Sequence, residues 1–239
     1  MVKVLAINGS ARMEKGDTHR ILTAFLEGMT DADATVETIF AKRYKIRPCL
    51  GDFHCWYEKV GQCTQKDDME QLYPKFREAD ILTLAIPIYF PFPGEIQNLL
   101  NRLMPLVEPI LEFRDGRTRA KFHDDVRISK IVLVSTGGWW EKENMSLVVD
   151  FVDHMAKDAS VEFSGALLRP HAFLMEEFEE KAAEILSAAK QAGTQLIKDG
   201  KMSKETLEIV SKPIILEKDL RDRYNRSYQR AKDASYQLK

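Results

Sequence analysis

Residues 81–94 read Ile-Leu-Thr-Leu-Ala-Ile-Pro-Ile-Tyr-Phe-Pro-Phe-Pro-Gly. Apart from one threonine the first six are apolar, the pattern of a central strand buried on both faces. Pro87, Pro91 and Pro93 cannot continue that strand, and they leave Tyr89 and Phe90 on a stiff loop ahead of a helical pattern. A strand covered on both sides predicts a parallel α/β sheet. Working outward, 3–7, 128–134 and 161–166 read as further strands, and the alternating 35–39 as an edge strand. Helical patterns fit 18–29, 68–79, 94–105, 145–158 and 175–197. The last carries Phe178, Ala182, Ile185, Leu186, Ala189 and Leu196 in one stripe, as a helix covering a sheet would. Residues 106–127 read as a charged connection.

The 239 residues hold 35 Lys and Arg against 37 Asp and Glu, a net charge of −2. That balance lacks the basic footprint of a nucleic-acid binder or of a protein drawn to an anionic membrane surface. The apolar run 81–93 is broken by prolines and falls short of the ~18 residues a membrane span needs. The opening apolar stretch is too short for a signal-peptide core, so a cytoplasmic protein is expected. After Gly200 the composition changes, with 16 charged residues among the last 39. We expect one domain over 1–200 with a cysteine-containing insert at 40–67. Residues 201–239 are expected as a helical arm: a short helix, a break at Pro213 and a second helix from about 217. Tyr224 and Tyr228 share a face of that helix, which must pack on its own domain or on a partner subunit.

Between the first strand and first helix, residues 8–20 read Asn-Gly-Ser-Ala-Arg-Met-Glu-Lys-Gly-Asp-Thr-His-Arg. Helix N-terminal amides make this position an anion site in open α/β sheets. Neither G-x-G-x-x-G nor G-K-[ST] is present, which disfavours a dinucleotide or triphosphate loop. Ser10, Arg12 and Thr18 suit a phosphate monoester. Turn closure and helix capping, with Asp17 as the N-cap, remain the alternative for the same residues.

Gly9-Ser10-Ala11-Arg12 with Gly16-Asp17-Thr18, and Pro87-Ile88-Tyr89-Phe90 after the central strand, resemble the flavodoxin-like NAD(P)H-dependent FMN reductases and, more closely, the iron–sulfur flavoproteins. The resemblance covers residues 1 to about 200. It implies a flavodoxin-like three-layer α/β sandwich with a five-stranded parallel sheet, here with a C-terminal helical extension. It also implies bound FMN, with Ser10, Arg12, Thr18 and His19 around the phosphate. Pro87, Ile88, Tyr89 and Phe90 would line the isoalloxazine and ribityl chain, and Thr136, Gly137, Gly138 and Trp139 the ring's other edge, with Trp139 and Trp140 open to stacking on flavin, stacking on substrate or a subunit interface. Asp17 stands where the family usually has Asn, and a carboxylate there would repel a phosphate unless it turns away. No acid or base stands out, so no catalytic residue is assigned. The implied function is an oxidoreductase taking electrons from NAD(P)H or a protein donor and passing them to a small-molecule or protein acceptor, as a homodimer or homotetramer. A cluster-free quinone or FMN reductase, and a flavin-binding or assembly protein without turnover, are the alternatives.

Cys49, Cys55 and Cys63, the chain's only cysteines, fall in a fifteen-residue window. Iron–sulfur flavoproteins resembling this chain carry C-x2-C-x2-C-x4–7-C here, whereas this sequence reads C-x2-D-x2-C-x7-C, with Asp52 at the second cysteine's place. Three thiolates, with Asp52 as fourth ligand, would hold an iron–sulfur cluster. Structural zinc using His54, and a metal-free loop with free thiols or one disulfide, are also open.

Overall fold

The computed structural model describes residues 1–236; positions 237–239, the end of the expected arm, lie outside the described residues. Strand β1 (Lys3–Asn8) leads into α1 (Asp17–Asp31) and β2 (Thr35–Phe40). A loop carrying the one-turn α2 (His54–Tyr57) precedes α3 (Tyr73–Glu78), β3 (Ile81–Pro87) and α4 (Gly94–Asn101). Then come β4 (Val107–Arg114), β5 (Arg117–Phe122), β6 (Lys130–Thr136), α5 (Ser146–Ala159) and β7 (Glu162–Arg169). Helices α6 (Glu179–Asp199), α7 (Lys204–Ser211) and α8 (Glu217–Tyr236) complete the described chain.

The main sheet runs β2-β1-β3-β6-β7, all parallel, with β3 central and β2 at the edge. Each central strand divides its residues between two cores. Val4, Ala6, Ile81, Ala85, Val132 and Val134 face the layer of α1 and α6. Leu5, Ile7, Leu82, Leu84, Ile131 and Leu133 face the layer of α3, α4 and α5. The crossing of α1 with α6 depends on Gly28 and Gly193. An added Cβ at either would overlap the other helix's backbone, at the Lys190 carbonyl and the Phe25 carbonyl respectively. Met202, Val210, Ile214 and Leu220 join the same core, so the segment after Gly200 packs onto the α6 side of the sheet.

The connection at 106–127 is not irregular: β4 and β5 form an antiparallel hairpin. Its turn is Asp115-Gly116, both at positive φ (50° and 76°), the backbone a two-residue hairpin turn demands. The helix expected from 175 begins at Glu179 instead, after a 3-10 turn over Ala172–Glu176. Among the described residues no helix is long and apolar enough to cross a membrane.

Candidate functional site

The loops after β1, β3 and β6 meet at the carboxyl edge of the sheet, where open parallel sheets bind ligands. Thr136, the last residue of β6, joins them. Its hydroxyl lies 2.7 Å from that of Thr18 on α1, and its carbonyl accepts from the Ile88 amide at 2.9 Å. The first loop is tied to the central strand by the Gly9 amide, which donates to the Ala85 carbonyl at 2.8 Å.

Asn8, buried at the end of β1, organises that first loop. Its Oδ1 accepts from the Ser10 amide at 2.9 Å and its Nδ2 meets His19 Nδ1 at 3.3 Å. The Ser10 hydroxyl accepts from the Arg12 amide at 3.2 Å. Gly16 sits so close to Ser10 that a Cβ there would overlap the hydroxyl. Helix α1 starts after Gly16 with no side chain capping it. Asp17 is therefore not the N-cap; its carboxylate turns to Arg12, with Nη1 3.3 Å from Oδ2. This leaves first-turn amides of a fifteen-residue helix open to an anion beside Ser10 and Arg12. His19 is committed elsewhere: besides Asn8 its ring meets Thr23 at 3.3 Å and packs on Phe40 at 5.4 Å. Burial lowers its pKa, with Glu14 pulling the other way.

Past β3, the Tyr89 amide donates to the Pro91 carbonyl at 3.0 Å, and Tyr89 and Phe90 stand exposed. Past β6, Gly137 pairs with the end of β7 through the Arg169 carbonyl at 3.1 Å and the Ala172 amide at 3.1 Å. The Trp139 carbonyl accepts from the His171 amide at 2.9 Å, while its indole is 70% exposed. Trp140 is pinned by its indole N–H, which donates to the Ile215 carbonyl at 2.9 Å. The structure thus brings Ser10, Thr18, Ile88, Thr136, Gly137 and Trp139 to one edge, with Arg12 at its rim.

Sequence reading missed the clasp beneath this edge. Arg169 is fully buried, and its guanidinium donates to the carbonyls of Pro170, Val210 and Lys212 at 2.7–2.9 Å. Burial lowers its pKa to about 10, which leaves it charged at neutral pH. Arg169 Nη2 also lies 3.2 Å from His171 Nε2, which accepts from the Ile214 amide at 3.0 Å. Two donors facing Nε2 place the ring's proton on Nδ1. Ends of strands β6 and β7 and the 210–215 segment are so joined into one unit.

The cysteine segment forms a second place of interest. Cys49, Cys55 and Cys63 are free thiols that share a cavity of about 340 Å³ with Asp52, Arg102 and Met104. Burial pushes the Cys55 thiol pKa up, helped by the other two thiols and Asp52. The Asp52 carboxylate accepts from the His54 amide at 3.2 Å and from the Thr64 hydroxyl at 3.0 Å, tethering both ends of the segment. Among the described residues no three His, Cys, Asp or Glu side chains converge on a single ion position. His54 instead bonds Glu58 at 2.9 Å, which disfavours it as a zinc ligand. Beneath the segment, Arg102 and Asp67 form a buried bidentate ion pair at 2.8 and 3.1 Å.

Residues 2–139 match the family model described as NADPH-dependent FMN reductase. An iron–sulfur flavoprotein of Archaeoglobus fulgidus is 35% identical over 102 residues, 42% of this chain and 48% of that protein. One from Methanocaldococcus jannaschii is 31% identical over 106 residues, 44% of this chain and 53% of its own. The aligned region thus spans about half the length of these relatives. Among solved structures, an FMN-dependent NADH-azoreductase of Bacillus anthracis superposes with a TM-score of 0.59 at 14% identity, over 83% of this chain and all of that one. RosB superposes at 0.56 and 13% identity, over 95% of this chain and 88% of its own. At such identities these structures show a shared fold, the flavodoxin-like sandwich. The family match covers more than half of the chain: the protein belongs to the NADPH-dependent FMN reductase family.

Proposed function

We propose that this protein is an FMN-dependent oxidoreductase, accepting electrons from NAD(P)H or a protein donor and passing them to a separate acceptor. The observation that carries this reading is the meeting of three loops at Thr136, beside a long helix whose N-terminus no side chain caps. In it the α1 amides, Ser10, Thr18 and Arg12 hold the phosphate. Pro87, Ile88, Tyr89 and Phe90 flank the flavin on one side, and Thr136, Gly137, Gly138 and Trp139 on the other. FMN supplies the redox chemistry; the chain orients it and excludes competing reactions. His19 stays neutral and shapes the loop through Asn8 rather than contacting phosphate directly.

In the same reading the cysteine cavity takes a cluster carried by Cys49, Cys55 and Cys63, whose three thiols share its wall. Asp52, held by His54 and Thr64, stands as the fourth ligand. The reading treats 1–200 as the flavin domain with its 40–67 insert and 201–239 as an arm. It takes the protein to be cytoplasmic and a homodimer or homotetramer, with the exposed Tyr228 face of α8 at the subunit contact.

Protein purified without oxygen should show the visible bands of bound oxidised flavin once exposed to air. A colourless protein that ignores added FMN would sink the proposal, and iron and sulfide analysis decides the cluster. Arg12→Ala should weaken FMN binding about tenfold, and Asp17→Asn should tighten it by releasing Arg12 and removing a charge beside the phosphate. Equal affinities across the three proteins would take Arg12 out of the phosphate site.

A further inference from the structure

We propose that the groove between Trp139-Trp140 and α8 binds an uncharged planar aromatic ring, and that this is where the electron acceptor docks. The groove encloses about 700 Å³, within the range of small-molecule sites, and Trp139, Trp140, Leu220, Tyr224 and Asn225 line it. Three of those residues carry aromatic rings, and two of them, Trp140 and Tyr224, are already held in place. Trp140 is tied to Ile215, as described above. Tyr224 donates its hydroxyl to the Gly138 carbonyl at 3.3 Å and meets Phe173 edge-on at 5.8 Å. Helix α8 itself is anchored by Arg223, bidentate to Glu177 at 2.6 and 2.8 Å. Trp139 leaves most of its indole to water, surface that a stacked ring would cover.

Charge selects the class of ligand. The rim carries Glu141, Glu217 and Arg221, and Arg221 is paired with Glu217 at 2.8 Å. One net negative charge remains, which repels the phosphates of a dinucleotide and is indifferent to a neutral ring. Asn225 adds an amide able to bond a ring oxygen, as a quinone would present. The groove adjoins Gly138, the loop assigned to the flavin's edge. Its role as acceptor site rests on the flavoprotein reading, whereas the binding of a neutral ring does not.

The test is titration of the full-length protein with duroquinone, followed by tryptophan fluorescence. All four non-carbonyl ring carbons of this quinone are methylated, so thiol addition at the cysteines does not interfere. Saturable quenching is expected. Tyr224→Ala should raise Kd about five- to tenfold and Tyr224→Phe should stay near the parent value, since the ring face does the binding. Asn225→Trp, filling the groove from its exposed rim, should abolish saturation. Quenching that never saturates in the parent protein, or one Kd for all four proteins, overturns the proposal and leaves this surface to a second copy of the chain. FMN affinity measured on flavin-stripped samples separates the two ideas. Duroquinone binding without FMN binding upholds the groove and sinks the flavoprotein reading, and the reverse sinks the groove alone.

Discussion

Arg102→Met should lower the unfolding free energy by about 3–5 kcal/mol, the cost of breaking one side of a buried ion pair. Arg102 is 1% exposed and spans two layers of contacts: Asp67 receives both its terminal nitrogens, and the Arg47 carbonyl a second bond at 3.0 Å. Asp67 is equally committed, accepting from the backbone amides of Arg47 and Met69 at 3.0 and 3.1 Å. Burial opposes its ionisation, but the Arg102 and backbone hydrogen bonds prevail and hold its pKa below the usual carboxylate range. Removing the guanidinium leaves a carboxylate in a site with little water. Because Arg47 and Asp67 flank the cysteine segment, the variant should also loosen that segment and speed alkylation of Cys55 and Cys63. Urea unfolding at pH 7 measures the loss. The double variant Arg102→Met, Asp67→Leu should recover part of it, since replacing both charges removes the uncompensated one. A loss under 1 kcal/mol for the single variant would show that water reaches the pair.

Acid should weaken the clasp at His171 by up to about 3 kcal/mol between pH 6.5 and 4. Burial, and then the charge of Arg169, push the His171 pKa from 6.5 down to about 4. The sign follows from which state binds the proton. Above pH 6.5 the ring is neutral folded and unfolded, so the stability is fully present. As pH falls below 6.5 the unfolded chain takes up a proton that the folded one refuses, and stability is lost progressively until the folded pKa is reached. Protonated Nε2 would face the Ile214 amide and the Arg169 guanidinium, donors both. His171 lies at φ 38°, a left-handed conformation that Asn tolerates, so His171→Asn is the matching neutral variant. Unfolding curves at pH 7, 5.5 and 4 should show the gap between parent and variant closing by about 3 kcal/mol. Parallel losses in both would remove His171 from the acid response. Since the clasp holds the 210–215 segment against the Trp139 loop, acid should also open the aromatic groove.

All five strands of the parallel sheet were legible, because burial on two faces leaves a local mark: unbroken apolar runs inside and an alternating strand at the edge. The hairpin over 107–122 was not, since its charged, exposed residues masked a turn signal, Asp115-Gly116, that lies in plain view. The make-up of the loop after the first strand was also legible, with hydroxyls and an arginine ahead of a helix N-terminus. Their assignment was less so. Asp17 looked like a cap and instead bonds Arg12; His19, expected by resemblance near the phosphate, bonds Asn8. In each case the competing partner was a side chain whose position only the folded loop defines.

The five strands of the sheet and the family follow from patterns a few residues long, each decided by local burial and backbone chemistry. The Arg102–Asp67 pair, the Arg169–His171 clasp and the Trp139–Tyr224 groove join residues 35 to 86 positions apart. A lone arginine or histidine reads as surface until a fold encloses it, and desolvation then forces it to find partners wherever the topology has placed them.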